Sequence, residues 1–428
     1  MDGPRFHPIP QLPQGNRDGL ARLTFILLWC FIASVPFETS IMVPGLGTIS
    51  RLIGMVLLPV GLLAICARGW IRRLQVAHWC MIAFIAWISL SYFWTVSPVS
   101  TSERILTELQ LLLIVLIAWQ FCTSEKDGGM LMRAYVYGTL VSCGETMYRF
   151  ANHQYTYYGR FAAFGFDPND LSLTLAMSIP ISYYLFLRQR GWKSCFWILQ
   201  ISVAILSGLL TASRMGALVM MLALSIVLVT LKNLSGARRV ALAAIAAFVI
   251  VGAISLIPSS SWKRLSTIGT EVKTGTLNSR TEIWAGGWSA LESKPFAGVG
   301  AGAFADAVEP IISYFDMGHA FVAHNTFLSV LVELGTFGFI LFLLLLATLA
   351  ATVLKMEPLL RKTYVVTFLV WGVGVTTLTW EHRKPTWVLF TLIVQTLDSR
   401  AYSFVSARTQ TSVMRALRTP SFSVSRNL

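Results

Sequence analysis

Apolar runs recur along most of the chain, and short polar connections separate them. Most runs are about 18 to 25 residues long, which is enough for one helix to cross the hydrocarbon core of a bilayer. The expected helices lie near residues 21–38, 49–67, 77–95, 105–122, 129–146, 170–188, 195–212, 215–232, 239–257, 325–353, 363–380 and 385–398. The pattern therefore predicts an all-α, polytopic integral membrane protein with about twelve transmembrane helices.

Two longer polar stretches interrupt this pattern. The longer one covers residues 258–324, between the ninth and tenth predicted helices, and the shorter one covers residues 147–169. No small-residue cleavage site follows the first apolar run, so an uncleaved first span is expected rather than a signal peptide. The predicted organisation is an N-terminal tail (1–20), membrane helices one to nine (21–257), a large loop (258–324), membrane helices ten to twelve (325–398) and a basic C-terminal tail (399–428).

Composition supports this interpretation and narrows the possible partners. Of the 428 residues, 55% are hydrophobic and 13% are charged, whereas about 25% of residues are charged in soluble proteins. The formal net charge is +14, but the basic residues lie between apolar runs rather than among aromatic residues of a soluble domain. Lipid headgroups, membrane topology or an anionic substrate explain that charge better than nucleic acid.

The six cysteines form no CxxC pair, so neither a disulfide framework nor a thiolate metal site is expected.

The distribution of positive charge predicts the orientation. Lys and Arg are enriched in cytoplasmic loops, so both termini are predicted to be cytoplasmic, and loops 147–169 and 258–324 to be external. Arg214 lies in the break "LLTASRMGALVMM" between two helices, where desolvation of a guanidinium is costly. No acidic residue is close to it in sequence, which makes a bound anion a candidate partner. The basic residues on the predicted external side are Arg160, Arg214, Lys263, Arg264, Arg280 and Lys294.

Four external residues are candidates for chemistry: Arg160, Arg214, Arg280 and His324. Guanidinium groups bind phosphate oxygens in bidentate pairs, and a neutral imidazole accepts a proton at physiological pH. This combination suits chemistry with a phosphate leaving group and no metal. Each residue also has a simpler explanation. These are headgroup anchoring for Arg160, snorkelling for Arg214, a solvated charge for Arg280 and a plain helix-start position for His324.

Residues beside these candidates have mainly structural explanations. Asn325 is predicted to cap the tenth helix, and either Asp167 or Asn169 to cap the sixth. Ser213 shares the short break with Arg214.

Several other chemistries find no support in the sequence. The segment "GVGAGAF" follows no predicted strand and opens no βαβ unit, so a nucleotide-binding loop is not indicated. The chain contains no HExxH motif and no external Asp-x-Asp pair, so neither a tightly held metal ion nor a cofactor is predicted. It also lacks a GxSxG nucleophile motif.

Four segments resemble the conserved blocks of the O-antigen ligase/polymerase superfamily. They are "GRFAAFGFDPNDLSLTLAMSIP", "TASRMG", "NSRTEIWAGGWSALESKPFAGVGAGAF" and "AHNTFLSVLVELGTFGF". The resemblance is strongest over residues 160–340, and among the superfamily's members the ligases look closest. It implies a GT-C-like glycosyltransferase of the bacterial inner membrane that acts at the periplasmic face without a metal or cofactor. Such an enzyme would transfer a glycan from undecaprenyl pyrophosphate to a sugar hydroxyl of lipid A–core.

The resemblance also implies roles for particular residues. Arg160, Arg214 and Arg280 match positions that hold the pyrophosphate, and His324 matches the histidine proposed as general base. Ser213, Asn169 and Asn325 are expected to support them.

Two further functions of the same superfamily stay open, because the shared motifs do not separate them from a ligase. They are an O-antigen polymerase and a protein O-oligosaccharyltransferase. A polysaccharide transporter or flippase belongs to a different class. It would favour internal repeats and polar groups near the membrane midplane, whereas the polar groups here concentrate at one face.

Overall fold

The computed structural model describes residues 19–156, 159–267, 280–312 and 321–397. A short antiparallel pair, β1 (Met42–Val43) and β2 (Gly47–Thr48), accompanies the helices. Within the described ranges the α-helices are α1 (Gly19–Ser34), α2 (Ile49–Arg68), α3 (Val76–Leu90), α4 (Pro98–Phe121), α5 (Glu125–Ala151), α6 (Pro168–Arg188), α7 (Cys195–Leu210), α8 (Arg214–Thr230), α9 (Gly236–Leu256), α10 (Ser259–Ser266), α11 (Arg280–Ser293), α12 (Phe304–Ile312), α13 (Thr326–Leu354), α14 (Pro358–Gly374) and α15 (Lys384–Val394).

Parts of all five predicted segments lie outside the described residues. These parts are residues 1–18 of the N-terminal tail, residues 157–158 of the shorter loop, residues 268–279 and 313–320 of the large loop, residue 398 at the end of the last predicted helix, and the whole basic tail 399–428.

Eight helical segments of the described chain are long and apolar enough to cross a membrane, judged by length and composition. They are Gly19–Phe37, Ile49–Arg68, Val76–Phe93, Pro98–Phe121, Pro168–Arg188, Trp192–Leu210, Gly236–Leu256 and Thr326–Leu354. The other four predicted spans coincide with α5, α8, α14 and α15, which fall outside that criterion. The chain is therefore a helical, polytopic membrane protein. The exact number of crossings and the GT-C-like architecture stay predictions.

Helix α6 lies at the centre of the bundle and packs against α5, α7, α8 and α14. Its hydroxyl and backbone groups find partners within the bundle. Tyr135 donates a hydrogen bond to the Thr174 carbonyl at 3.0 Å, and Gln200 Nε2 donates one to Ser178 Oγ at 3.0 Å. Buried polar groups need such partners, because the core contains no water that could form these hydrogen bonds instead. The start of α6 is thereby held in a fixed position beneath the candidate site.

The large loop folds into a small apolar core against the bundle. Helices α11 and α12 pack on the first turns of α13, and the buried side chains of this core include Ile283, Leu291, Phe304, Val308 and Val332. The helical spacing of the segment that begins at residue 280 therefore corresponds to a helix, α11. This packing presents the first residue of α11 to the end of the bundle.

A glycine-rich turn, residues 297–303, joins α11 to α12 and is docked against its surroundings. Val299 N donates a hydrogen bond to the Val332 carbonyl at 3.0 Å, and Gly300 N donates one to the Glu333 carbonyl at 2.9 Å. Gly300 has a φ of +111°, and a Cβ atom there would lie 2.1 Å from Thr95 Oγ1. Glycine is required by both the backbone conformation and the close approach, so the turn anchors the loop to α13 and to the 94–97 connection.

A buried ion-pair network stabilises the same junction. Arg104 Nη1 of α4 lies 2.7 Å from Glu381 Oε1 and 3.7 Å from Glu333 Oε2. Ser329 Oγ reaches both carboxylates at 3.3 to 3.4 Å. Gly302 N donates to Glu333 Oε2 at 2.7 Å. Four separate parts of the chain thus meet around one guanidinium, which holds the folded loop on the bundle.

Candidate functional site

The side chain of Arg160 connects the segment before α6 to the break between α7 and α8. It is 6% exposed. Its Nε donates a hydrogen bond to the Thr211 carbonyl at 2.7 Å, and its Nη2 donates one to Asn169 Oδ1 at 2.8 Å. Among the described residues, Nη1 makes no hydrogen bond. The guanidinium is therefore held in place through two of its three nitrogens, by groups from two different parts of the chain.

Ser213 caps α8 and thereby places Arg214 at the first position of that helix. Ser213 Oγ accepts a hydrogen bond from Gly216 N at 3.0 Å and donates one to Asn169 Oδ1 at 2.8 Å. Ala212, just before it, has a φ of +49°, a conformation that few residues other than glycine adopt. The chain therefore reverses within residues 211–213 and aims the start of α8 at the segment that contains Arg160.

Asp167, rather than Asn169, caps α6. Its Oδ1 accepts hydrogen bonds from Asn169 N at 2.7 Å and Asp170 N at 3.4 Å. The Asn169 side chain is left to accept from both Arg160 and Ser213. One amide oxygen therefore links the Arg160 guanidinium to the helix start that presents Arg214.

Arg280 and His324 form the other half of the site. Arg280 is the first residue of α11, and one turn later Trp284 Nε1 donates a hydrogen bond to the Ala323 carbonyl at 2.8 Å. His324 follows Ala323 with a φ of +46°. Asn325 then caps α13, because its Oδ1 accepts from Leu328 N at 3.2 Å, as the sequence pattern favoured.

Electrostatic interactions join the two halves. The Asp167 carboxylate lies close enough to act on Arg160, Arg280 and His324, and the Arg214 charge acts on both Arg160 and Arg280. The structure therefore brings all four candidate residues to one end of the bundle, although more than 160 residues separate the first from the last.

Crowding of positive charge in a partly buried site is visible in the pKa values of the arginines. Burial lowers the pKa of Arg160 to about 10, Asp167 opposes this shift, and the nearby Arg264 and Arg214 add to it. Burial likewise lowers the pKa of Arg280. The charge of Arg214 adds to this shift, and the Asp167 carboxylate opposes it. With a pKa of about 10, Arg160 remains protonated at neutral pH, so an incoming anion would offset the repulsion between it and the neighbouring arginines.

His324 is neutral at physiological pH. Burial and the charge of Arg280 lower its pKa from the usual 6.5 to about 4, and Asp167 acts in the opposite direction. A neutral imidazole has one nitrogen that accepts a proton. It also adds no further positive charge to a site that already contains several arginines.

The described residues contain no group of three or more His, Cys, Asp or Glu side chains placed to hold a metal ion. The absence of a metal from the reaction stays a prediction. The side chains gathered at the site are cationic and hydrogen-bonding, and groups of this kind bind phosphate oxygens.

Sequence reasoning missed some members of this site. Asp167 was expected only as a possible helix cap, and nothing in the local pattern indicated its proximity to three candidate residues. The contact of Trp380 Nε1 with Asp170 Oδ1, at 2.9 Å, was also not foreseen. Arg383 Nη2 lies 3.9 Å from the same carboxylate. These partners are more than 200 residues apart in the chain, so no short motif could have revealed them.

Comparison with known proteins agrees with this assembly of residues. Residues 201–343 match the family model described as O-antigen ligase. The matched segment contains Ser213, Arg214, Arg280, His324 and Asn325, while Arg160 and Asn169 lie before it. No curated protein matches the chain. Over residues 201–343, the match confirms the resemblance of the sequence motifs to the O-antigen ligase superfamily.

Proposed function

We propose that this protein is an O-antigen ligase, a glycosyltransferase that moves a glycan from undecaprenyl pyrophosphate to a sugar hydroxyl of lipid A–core. The observation that carries the proposal is the convergence of Arg160, Arg214, Arg280 and His324 from four separate segments at one end of the bundle. The superfamily supports a transferase of lipid-linked glycans in general. The ligase reaction and its two substrates are the specific proposal.

The arginines would stabilise the departing pyrophosphate. As the bond between the anomeric carbon and the phosphate oxygen breaks, negative charge grows on that oxygen. Preorganised donors in a water-poor site stabilise such charge more in the transition state than in the ground state. The fixed guanidinium of Arg160, held by Thr211 and Asn169, is a donor of this kind.

His324 would take the proton from the acceptor hydroxyl. The hydroxyl oxygen attacks the anomeric carbon, its proton passes to the imidazole, and the electron pair of the breaking bond leaves on undecaprenyl pyrophosphate. Attack from the face opposite the leaving group inverts the anomeric centre. Bound pyrophosphate would also offset the charge of Arg280, which lowers the pKa of His324 in the free protein. Donor binding is therefore expected to make His324 a stronger base.

The proposal includes a location and an orientation. Both termini would lie in the cytoplasm, and the site end of the bundle would face the periplasm from the inner membrane, as the distribution of basic residues predicts. The polyprenyl chain of the donor would lie between helices, open to lipid.

A second candidate is an O-antigen polymerase, which would use the same arginines and histidine on the same class of donor. Its acceptor would be a second lipid-linked glycan instead of lipid A–core.

Complementation of a Gram-negative strain that lacks its own ligase tests the proposal. The wild-type protein is expected to produce ladders of glycan on lipid A–core in a gel. The His324→Asn variant is expected to produce none, although it should still bind donor. Asn tolerates a positive φ, so this change removes the imidazole with little backbone strain.

His153→Asn is the matched control, because His153 is exposed and also has a positive φ, +53°. It should give normal ladders. The polymerase function replaces the ligase function if the wild-type protein gives no ladder in the strain without a ligase and yet restores long glycan chains in a strain that lacks its own polymerase. Normal ladders from a well-expressed His324→Asn variant would contradict the role of the histidine.

A further inference from the structure

A groove of about 860 Å³ lies between α1 and α5. Both helices begin at its mouth. Arg22 belongs to the first turn of α1, and Lys126 is the second residue of α5. The lining includes Arg22, Phe25, Ile26, Trp29, Lys126 and Met130.

This groove is at the end of the bundle opposite the candidate site. Glu125, beside Lys126, lies 3.9 Å from Arg188, at the last turn of α6. The other end of α6, its first turn, is capped by Asp167 and lies next to Arg160. The groove is therefore separate from the arginines and the histidine of the candidate site by the full length of α6.

Two cations at the mouth of the groove have no counterion within the described part of the chain. Neither Arg22 nor Lys126 makes an ion pair or a hydrogen bond through its side chain there. The nearby carboxylates have other partners. Glu125 pairs with Arg188, and Asp127 accepts hydrogen bonds from the backbone at the start of α5. The mouth is consequently positively charged and suited to an anion.

The wall below the cations is apolar. Ile26 and Trp29 follow Arg22 along α1, and Met130 faces them from α5. From Arg22 to Trp29 the helix rises about 10 Å, which extends the wall well below the level of a phosphate. A small soluble anion would contact the cations and leave this wall bare, whereas an amphiphile would cover both.

We propose that the groove binds an anionic glycerophospholipid, with its phosphate between Arg22 and Lys126 and one acyl chain along Ile26, Trp29 and Met130. The two parts of such a lipid match the two parts of the groove. This site would be distinct from the donor and acceptor sites of the proposed transferase reaction, so it does not depend on that function.

Native mass spectrometry of the detergent-purified full chain tests the proposal, with phosphatidylglycerol and phosphatidylcholine of identical acyl chains as probes. Wild type is expected to prefer phosphatidylglycerol. In the double variant Arg22→Gln/Lys126→Gln this preference should fall by about thirtyfold, because each Lys or Arg near an anionic lipid contributes about fivefold. The matched control is Lys193→Gln/Lys232→Gln, which removes two exposed cations that do not line the groove.

Two additional arms keep the result interpretable. Ile26→Gln changes a wall residue that is 49% exposed, and it should weaken the binding of both lipids without changing the preference between them. Soluble glycerophosphoglycerol should fail to displace bound phosphatidylglycerol, since it lacks the acyl chains.

Three outcomes would overturn the lipid site. They are no preference for phosphatidylglycerol in wild type, an equal loss of preference in both double variants, or full displacement by the soluble headgroup.

Discussion

Arg160 and Asn169 are joined by a hydrogen bond of 2.8 Å from Nη2 to Oδ1. The same Oδ1 accepts from Ser213 Oγ, also at 2.8 Å. A single amide therefore fixes the orientation of one arginine and supports the helix start that presents Arg214. This relationship explains why a side chain with no obvious chemistry of its own belongs to the site.

Replacement of Asn169 by Ala should impair donor binding while the protein still folds. A hydrogen bond to a charged group contributes about 1.5 to 3 kcal/mol, so the Kd for a lipid-pyrophosphate analogue should rise roughly tenfold or more. Titration of the purified variant with the analogue measures the effect. Ser213→Ala leaves the bond between Arg160 and Asn169 in place, but it removes both the second bond to Oδ1 and the cap of the helix that presents Arg214, so it should also weaken donor binding. Equal affinity in Asn169→Ala and wild type would show that Arg160 does not need this support.

Arg214→Lys should lose most of the transfer activity. Lysine keeps the charge but cannot form the bidentate pair that a guanidinium makes with phosphate. Loss of one transition-state donor typically costs about 10²–10³ in rate, and initial rates with purified donor and acceptor would show it. Arg239→Lys, at an exposed position of α9, is the matched control. Near-normal transfer by Arg214→Lys at equal protein levels would remove Arg214 from the phosphate site.

The pH dependence of transfer should report the lowered pKa of His324. Its neutral form is the active base and its pKa is about 4 in the free protein. The value of kcat/KM should therefore stay high as pH falls through the usual histidine range near 6.5, and decline only near pH 4.

The Arg280→Gln variant provides the control for this profile. Arg280 contributes to the low pKa of His324, so its removal should shift the acidic decline of kcat/KM to higher pH. In wild type, kcat should also begin to fall at a higher pH than kcat/KM, because bound pyrophosphate offsets the arginine charge and raises the pKa of His324. If the acidic decline of kcat/KM occurs at the same pH in Arg280→Gln as in wild type, that decline does not report the pKa of His324.

Arg104→Met should destabilise the fold strongly. The change leaves Glu333 and Glu381 buried without the cation that now lies 2.7 to 3.7 Å from them. Loss of one partner from a buried ion pair costs about 3 to 5 kcal/mol, which thermal unfolding in detergent would detect.

Arg188→Met is the control for that experiment, since its pair with Glu125 is largely exposed. Exposed ion pairs contribute only about 0 to 1 kcal/mol. Similar unfolding temperatures for the two variants would mean that the buried network does not anchor the loop.

Much of the architecture follows from local sequence properties. Apolar run length predicted where helices lie, because a helix in lipid must satisfy its backbone internally and present apolar side chains along its whole length. Apolar run length does not detect the first turn of a helix when that turn is polar. Helix α4 begins at Pro98, seven residues before the predicted start at 105. In this first part of the helix, Ser100 and Arg104 contact the folded loop at Asp306 and Gly302. The motifs also indicated the O-antigen ligase superfamily, and the family match over residues 201–343 supports that resemblance.

Only the tertiary structure decided how the site is assembled. Arg160 meets Asn169 and Thr211 because α6 and the break between α7 and α8 pack together, and Trp284 brings α11 to the residue before His324. Asp167 acts on three of the four candidate residues, although its sequence neighbourhood indicated only a helix cap. Hydropathy and motif spacing describe each segment separately. Distances between segments, and the pKa shifts that depend on burial and neighbouring charge, exist only once the helices have packed.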